Sequence, residues 1–351
     1  MIQLNNPFNP TFGIHNNSFI TRDSEFMEVI NAFNDPNSSN LYIITGLRGV
    51  GKTALLNNLV EYFSHDDEWI TININPEENI LEQIASGIYN NLSNKLSFTK
   101  KEISFSFSGI SFKISGDEPI SDINYLLRRL LKLVKDKNKK VLISIDEVSP
   151  NKNIKSFVHS FQLFSNESYP VYSLMTGLYE NISSLENEKN LTFLYRAPKI
   201  ELGPLSIARI KESYIKLLDI SDGEAKALAI LTNGYPFAYQ VLGSLVWIRK
   251  STVIDDNLLA SYDDILSKRS YEKIWSELPN GERDILHAIS LTDGSVSSIL
   301  ENTSIKINKL SVYRSRLIKR GLIISPERGI LKLVLPRFKD FIINLYEYDI
   351  W

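Results

Sequence analysis

Cysteine is absent from this chain of 351 residues. Its absence excludes disulfides and zinc–thiolate centres and fits a reducing compartment. Histidine is scarce, and the four present (His15, His65, His159 and His287) are scattered without metal-ligand spacing. Neither sign of charge prevails. With 39 Lys+Arg against 41 Asp+Glu, global charge says nothing about a nucleic-acid partner. No apolar run is long enough to span a membrane, and the N-terminal stretch is polar, unlike a signal peptide. These absences predict a cytoplasmic protein without a membrane partner. The length allows two or three domains around a sizeable core.

What is present concentrates at residues 46–53. Gly46-Leu47-Arg48-Gly49-Val50-Gly51-Lys52-Thr53 is a complete Gly-x-x-x-x-Gly-Lys-Thr phosphate-binding loop. Backbone N–H groups of Gly46, Gly49, Val50 and Gly51 are expected to close around the α- and β-phosphates of ATP or ADP. Lys52 places an ammonium between the β- and γ-phosphates, and the Thr53 hydroxyl is a ligand for Mg²⁺. The surroundings agree with the motif. Leu41-Tyr42-Ile43-Ile44 reads as a buried strand entering the loop, and Ala54 to Val60 reads as a helix leaving it.

A second motif lies downstream. Lys140-Val141-Leu142-Ile143-Ser144-Ile145 has the look of a buried parallel strand and ends in Asp146-Glu147. Such a pair at a strand's C-terminal end sits where ligands bind in parallel sheets. Asp146 is expected to hold Mg²⁺ through water and Glu147 to act as general base on the attacking water. Taken alone, the pair also reads as a solvated acidic turn before Pro150; the loop upstream favours the catalytic reading.

Strands and helices alternate through the first part of the chain. Trp69–Ile74, Lys140–Ile145, Tyr169–Met175 and Ala197–Leu202 read as further strands, with helices between them, which predicts an α/β core with a parallel sheet. The alternation of Glu102–Ile114 about Ser108-Gly109 predicts an inserted β-hairpin outside that sheet, serving as decoration or contact surface. The polar arm Asn5–Asn17 is expected to lie extended on the domain. After Gly203-Pro204 the pattern becomes helical only. From about Lys268, three helical stretches followed by Leu322–Ser325 and Ile330–Val334 around Pro326-Glu327-Arg328-Gly329 predict a winged helix-turn-helix. The expected domains are a P-loop ATPase core over 1–203, an all-α lid over 204–267 and a winged-helix domain over 268–351.

In this order of features the chain resembles the AAA+/STAND (signal-transduction ATPase with numerous domains) P-loop ATPases of bacteria and archaea. The likeness is to the archaeal-ATPase and replication-initiator-like members with a C-terminal winged helix. The residues that carry the resemblance are Asn9-Pro10-Thr11-Phe12-Gly13, Arg22-x-x-Glu25, the phosphate loop, Asp146-Glu147 and Gly234-Tyr235-Pro236-Phe237. It implies further roles. Arg22 would line the lip of the nucleotide site, although the family's glycine before this arginine is Thr21 here. Thr176 matches a sensor that orients the attacking water. Arg196 sits where related ATPases carry an arginine that reaches the γ-phosphate, and it reads equally as a surface arginine before a strand. Gly234 and Pro236 match the lid motif that touches base or sugar, and they also read as a turn between two helices.

The function implied is an ATP-binding switch with slow or partner-stimulated ATPase turnover. Lys306, Lys309, Arg314, Arg316, Lys319 and Arg320, with Arg328 and Lys332 on the wing, make the recognition-helix region basic. Asn308 is the candidate for reading a base edge. That pattern fits contact with double-stranded DNA. The alternative is a protein-interaction or signalling STAND ATPase, in a defence or stress system, whose winged helix binds a protein partner or packs on its own chain. Homo-oligomers are compatible with either reading.

Overall fold

A computed structural model describes residues 5–10, 20–95, 102–107, 110–114, 122–189 and 191–347. Thr11, Phe12 and Gly13 of the expected arm lie outside the described residues, as do Ser108 and Gly109. The chain divides into two compact units, Arg22–Thr45 with Lys52–Glu201, and Met1–Thr21 with Gly46–Gly51 and Leu202–Trp351.

The first is an α/β unit. Its elements run α1 (Asp23–Asn34), β1 (Leu41–Gly46), α2 (Lys52–Ser64), β2 (Trp69–Ile74), α3 (Ile80–Lys95), β3 (Glu102–Phe107), β4 (Ile110–Ile114), α4 (Ile123–Asp136), β5 (Lys140–Ile145), α5 (Lys152–Asn166), β6 (Val171–Gly177), α6 (Tyr179–Glu186), α7 (Thr192–Arg196) and β7 (Lys199–Leu202). Five strands form one sheet in the order β2-β5-β6-β1-β7. The pairs β2–β5, β5–β6 and β1–β6 are parallel. β3 and β4 form the separate antiparallel hairpin read from the alternation.

Both faces of the sheet are covered, which is why its strands read as continuous apolar runs. Ile43, Ile143 and Met175 belong to a buried cluster with Leu127, Ile88 and Phe157 from α4, α3 and α5. Residues of opposite parity meet the other helical layer. Phe33 of α1 lies 5.0 Å from the Tyr172 ring and 5.8 Å from Phe63 of α2. The helix starts follow local chemistry: Asp122 caps α4 by accepting from Asn124 N–H at 2.8 Å, and Asn151 caps α5 from Ile154 N–H at 2.8 Å. The strand expected from Ala197 begins at Lys199, because Ala197 N–H instead closes the last turn of α7 onto Leu194.

The second unit is helical. It contains α8 (Ile207–Leu218), α9 (Asp222–Leu231), α10 (Pro236–Arg249), α11 (Asp256–Leu266), a π-helical turn at Ser267–Tyr271, α12 (Glu272–Ser276), α13 (Asn280–Leu291), α14 (Val296–Glu301), α15 (Ile307–Lys319), β8 (Ile323–Ile324), β9 (Lys332–Leu333) and α16 (Phe338–Glu347). Residues 5–10 of the expected arm are docked here. Phe8 is buried against Tyr214 and Tyr239, and Gly243 leaves room for its ring: a Cβ there would stand 2.5 Å from Phe8.

α13, α14, α15 and the antiparallel pair β8–β9 follow the element order of a winged helix-turn-helix. The two strands are shorter than the expected Leu322–Ser325 and Ile330–Val334. The reason is competition for backbone partners: Leu331 N–H bonds to Gly294 carbonyl at 2.8 Å, and Gly329 carbonyl accepts from Val296 N–H at 2.8 Å. Residues 329–331 therefore pair with the segment before α14 rather than with β8.

Candidate functional site

β1 delivers the chain to the phosphate loop and α2 takes it away, starting at Lys52. Gly49 and Gly51 adopt φ of 76° and 96°, values that favour glycine. A Cβ on Gly51 would meet nothing within 4 Å, so conformation rather than crowding calls for glycine there. Val50 is buried, and its N–H bonds to Leu47 carbonyl at 3.3 Å. Lys52 and Thr53 are half-buried on the first turn of α2.

In the α/β unit, Thr53, Asp146, Glu147 and Thr176 come together. β6 lies between β1 and β5, so Thr176 stands in the strand next to β5, which Asp146 directly follows. The Thr53 hydroxyl donates to Asp146 Oδ2 at 2.8 Å. The Thr176 hydroxyl donates to Asp146 Oδ1, and Thr176 itself is fully buried. Glu147 N–H closes the network, 3.0 Å from Thr176 Oγ1 and 3.1 Å from Asp146 Oδ1. Glu147 adopts a left-handed φ of 53° and its side chain is exposed. The result is a half-buried carboxylate whose two oxygens are fixed by two hydroxyls, beside a second carboxylate that faces solvent.

The other expected residues fall as follows. Arg22 is buried just ahead of α1 and lies 3.4 Å from Glu25 Oε1; burial chiefly lowers its pKa. Arg196 is exposed in the last turn of α7, and no hydrogen bond joins it to the Asp146 network. Gly234 adopts φ of 77°, and its carbonyl accepts from Leu205 N–H at 2.7 Å. Pro236 opens α10 at a position where a missing N–H costs nothing.

Residue-by-residue reading passed over Tyr235, between those two. Its phenol is buried, donates to the Arg48 carbonyl at 2.7 Å and lies 2.8 Å from Ser270 Oγ. Burial pushes its pKa up. Its place inside the Gly-x-Pro motif was the one signal for it; Ser270, in the π-helical turn, carried none.

Residues 19–193 match the family described as an ATPase domain predominantly from Archaea. The protein carries a P-loop ATPase domain of that archaeal family. Residues 268–342 of the ATPase match a domain of unknown function, DUF8462. No curated protein matches it. Among solved structures, the ATPase is similar to a Walker-type ATPase of Pyrococcus abyssi at 16% identity and a TM-score of 0.64, over 93% of this chain and 96% of that one. It is also similar to the ORC2 protein of Aeropyrum pernix, solved in ADPNP–ADP complexes, at 12% identity and a TM-score of 0.60, over 97% and 98% of the two chains. At such identities the likeness is one of fold. Among the described residues, no helix is long and apolar enough to cross a membrane.

Proposed function

We propose that this ATPase is a cytoplasmic nucleotide-dependent switch, with 1–203 as its catalytic core, 204–267 as a lid and 268–351 as a winged-helix module that contacts double-stranded DNA. The observation that carries the catalytic part is the network of Thr53 on α2, Asp146 and Glu147 after β5, and Thr176 on β6. Backbone N–H groups of Gly46, Gly49, Val50 and Gly51 cradle the phosphates of ATP or ADP, and Lys52 holds the β- and γ-phosphates. Glu147 takes the proton of the attacking water, and Thr176 holds the Asp146-Glu147 corner in place. Arg22, Gly234 and Pro236 line the base and sugar, and Arg196 reaches the γ-phosphate from its own copy or from a neighbour in a homo-oligomer.

The residues fit a magnesium ion. The Thr53 hydroxyl and the Asp146 carboxylate are hard oxygen donors 2.8 Å apart. Among the described residues no cluster of three or more His, Cys, Asp or Glu could form an all-protein cage, and Mg²⁺ is commonly held by one or two side chains, waters and substrate phosphates. When bound, it neutralises charge on the phosphates.

The DNA reading rests on Lys306, Lys309, Arg328 and Lys332, all exposed, with Asn308 exposed among them. One observation favours the protein-partner alternative of a STAND-like switch: Ile307, Val312 and Ile324 are each half exposed or more on the same helix and wing. Calorimetry and a DNA mobility shift test both parts. Lys52→Ala is expected to abolish ATP binding without unfolding, and a duplex should shift in ATP and less in ADP. Wild-type ATP affinity in the variant overturns the nucleotide site; co-purification of one protein with no DNA shift at low salt selects the alternative.

A further inference from the structure

The contact between Tyr235 and the phosphate loop has a chemical direction. A carbonyl only accepts, so the single Tyr235 proton goes to Arg48. The Ser270 hydroxyl must then be the donor in its 2.8 Å contact with the Tyr235 oxygen. The order is Ser270 O–H to Tyr235 O–H to Arg48 carbonyl, a chain in which each bond polarises the next.

The phenol is itself held. Tyr235 is the N-cap of α10, and its N–H bonds to Thr232 carbonyl at 2.9 Å. Ser270 is buried in the π-helical turn Ser267–Tyr271 that follows α11; single π turns of this kind concentrate at functional sites. The Arg48 side chain adds a second tie, 3.3 Å from Glu277 Oε1, which also meets Lys273 at 3.1 Å. The fit at the loop is close: a Cβ on Gly49 would stand 2.3 Å from the Tyr235 oxygen. Alanine at 49 would therefore collide with the phenol and also carry an unfavourable φ.

The peptide between Arg48 and Gly49 is planar and trans, so its C=O and N–H point to opposite sides. Whatever fixes the carbonyl fixes the N–H. Without an anchor, a glycine-flanked peptide of this kind can turn over at little steric cost and present its carbonyl dipole, negative end first, to an anion. We propose that Tyr235 is a positioning residue for phosphate binding: by holding the Arg48 carbonyl it keeps the Gly49 N–H facing the nucleotide's phosphates, with Ser270 strengthening the hold. The proposal rests on the reading of residues 46–53 as the phosphate loop. It also gives the helical segment around Ser270 a direct hand in nucleotide affinity.

Tyr235→Phe keeps the ring and removes only the hydroxyl. Calorimetry with Mg²⁺-ATP and with adenosine, together with steady-state turnover, reads the effect. ATP affinity should weaken about tenfold, as loss of one well-placed hydrogen bond gives. Adenosine affinity should stay unchanged, because it carries no phosphate. KM should rise by a similar factor with kcat within about twofold, the mark of lost uniform binding. Ser270→Ala should weaken ATP about threefold, since it removes only the polarising donor. It also decides the matter if Tyr235→Phe fails to fold. A Tyr235→Phe protein that melts at lower temperature yet binds ATP like wild type overturns the proposal and leaves a structural hydrogen bond only. Lys52→Ala separates the two layers: if that variant binds ATP normally, the phosphate-loop reading has failed, and if only the Tyr235 and Ser270 variants do, this inference alone has failed.

Discussion

Glu147 stands in a conformation that a glutamate does not choose by itself. Its φ of 53° costs a non-glycine residue about 1–2 kcal/mol. Strain of this kind persists where neighbours over-determine it, and here Glu147 N–H is held by both Thr176 and Asp146. Two substitutions separate strain from chemistry. Glu147→Gln should keep ATP binding and lose about 10²- to 10⁴-fold in turnover. Glu147→Gly should lose turnover likewise but melt at a higher temperature than wild type, because glycine accepts the left-handed backbone. Unchanged turnover in purified Glu147→Gln would remove the general-base assignment. At this scale the phosphate loop and the Asp146-Glu147 pair were legible in the sequence, since eight and two consecutive residues carry them. Tyr235 was not, because its partner Arg48 lies 187 positions away.

Among the elements, α11 shows how one residue serves two ends. Asp255 caps it by accepting from Leu258 N–H at 2.7 Å, and receives both Arg249 nitrogens at 3.0 and 2.7 Å from the end of α10. Hydrogen bonds from Arg249 first, then from Leu258, hold its carboxyl down at about 2, against an ordinary 3.8. The folded value is below the unfolded one, so the contribution is fully present above about pH 4 and disappears as pH falls through about 2. Asp255→Asn keeps the capping oxygen and loses the ion pair. Its melting temperature should lie below wild type at pH 7, with the gap closing between pH 4 and pH 2; a gap that stays constant over that window contradicts the assignment. Element existence was well marked by periodicity: β2 and β5 begin and end where the apolar runs do. The wing was not, because the Gly294–Val296 segment takes backbone partners from residues 329–331, and nothing in a local pattern reports that competition.

On the scale of the whole molecule, the basic stretch from Lys306 to Arg320 sorts into two groups. Arg314 donates to Ser325 at 2.9 Å. Arg320 and Arg316 approach the fully buried Glu282 of α13 at 3.4 and 4.0 Å. Arg314 and Arg320 act in the fold, whereas Arg316 remains more than half exposed. Without Arg320, the buried Glu282 would lose its nearer arginine and keep the exposed Arg316 at 4.0 Å, so Arg320→Ala should lower the melting temperature. Lys309 and Arg328 are exposed on helix and wing. Reversing both to Glu should weaken duplex binding across sequences and flatten the log–log salt dependence by about 0.9 for each phosphate no longer neutralised, with ATP affinity and melting temperature unchanged. A mobility shift that is insensitive to this double reversal takes DNA binding away from this face.

The sequence by itself determined the class of chemistry and the layered core. A phosphate cradle is built from adjacent backbone N–H groups, and a sheet covered on both faces needs apolar runs, so both are written in contiguous residues. Tertiary structure decided how those residues are held. It placed β6 between β1 and β5, which lets Thr176 and Thr53 take one oxygen each of Asp146. It brought Tyr235 against Arg48 and the π-helical Ser270 against Tyr235. It turned Arg314 and Arg320 toward partners in the fold and left Lys306, Lys309 and Arg316 exposed. Each of these depends on distance and direction between side chains far apart in the chain, which are set only when the apolar faces have packed.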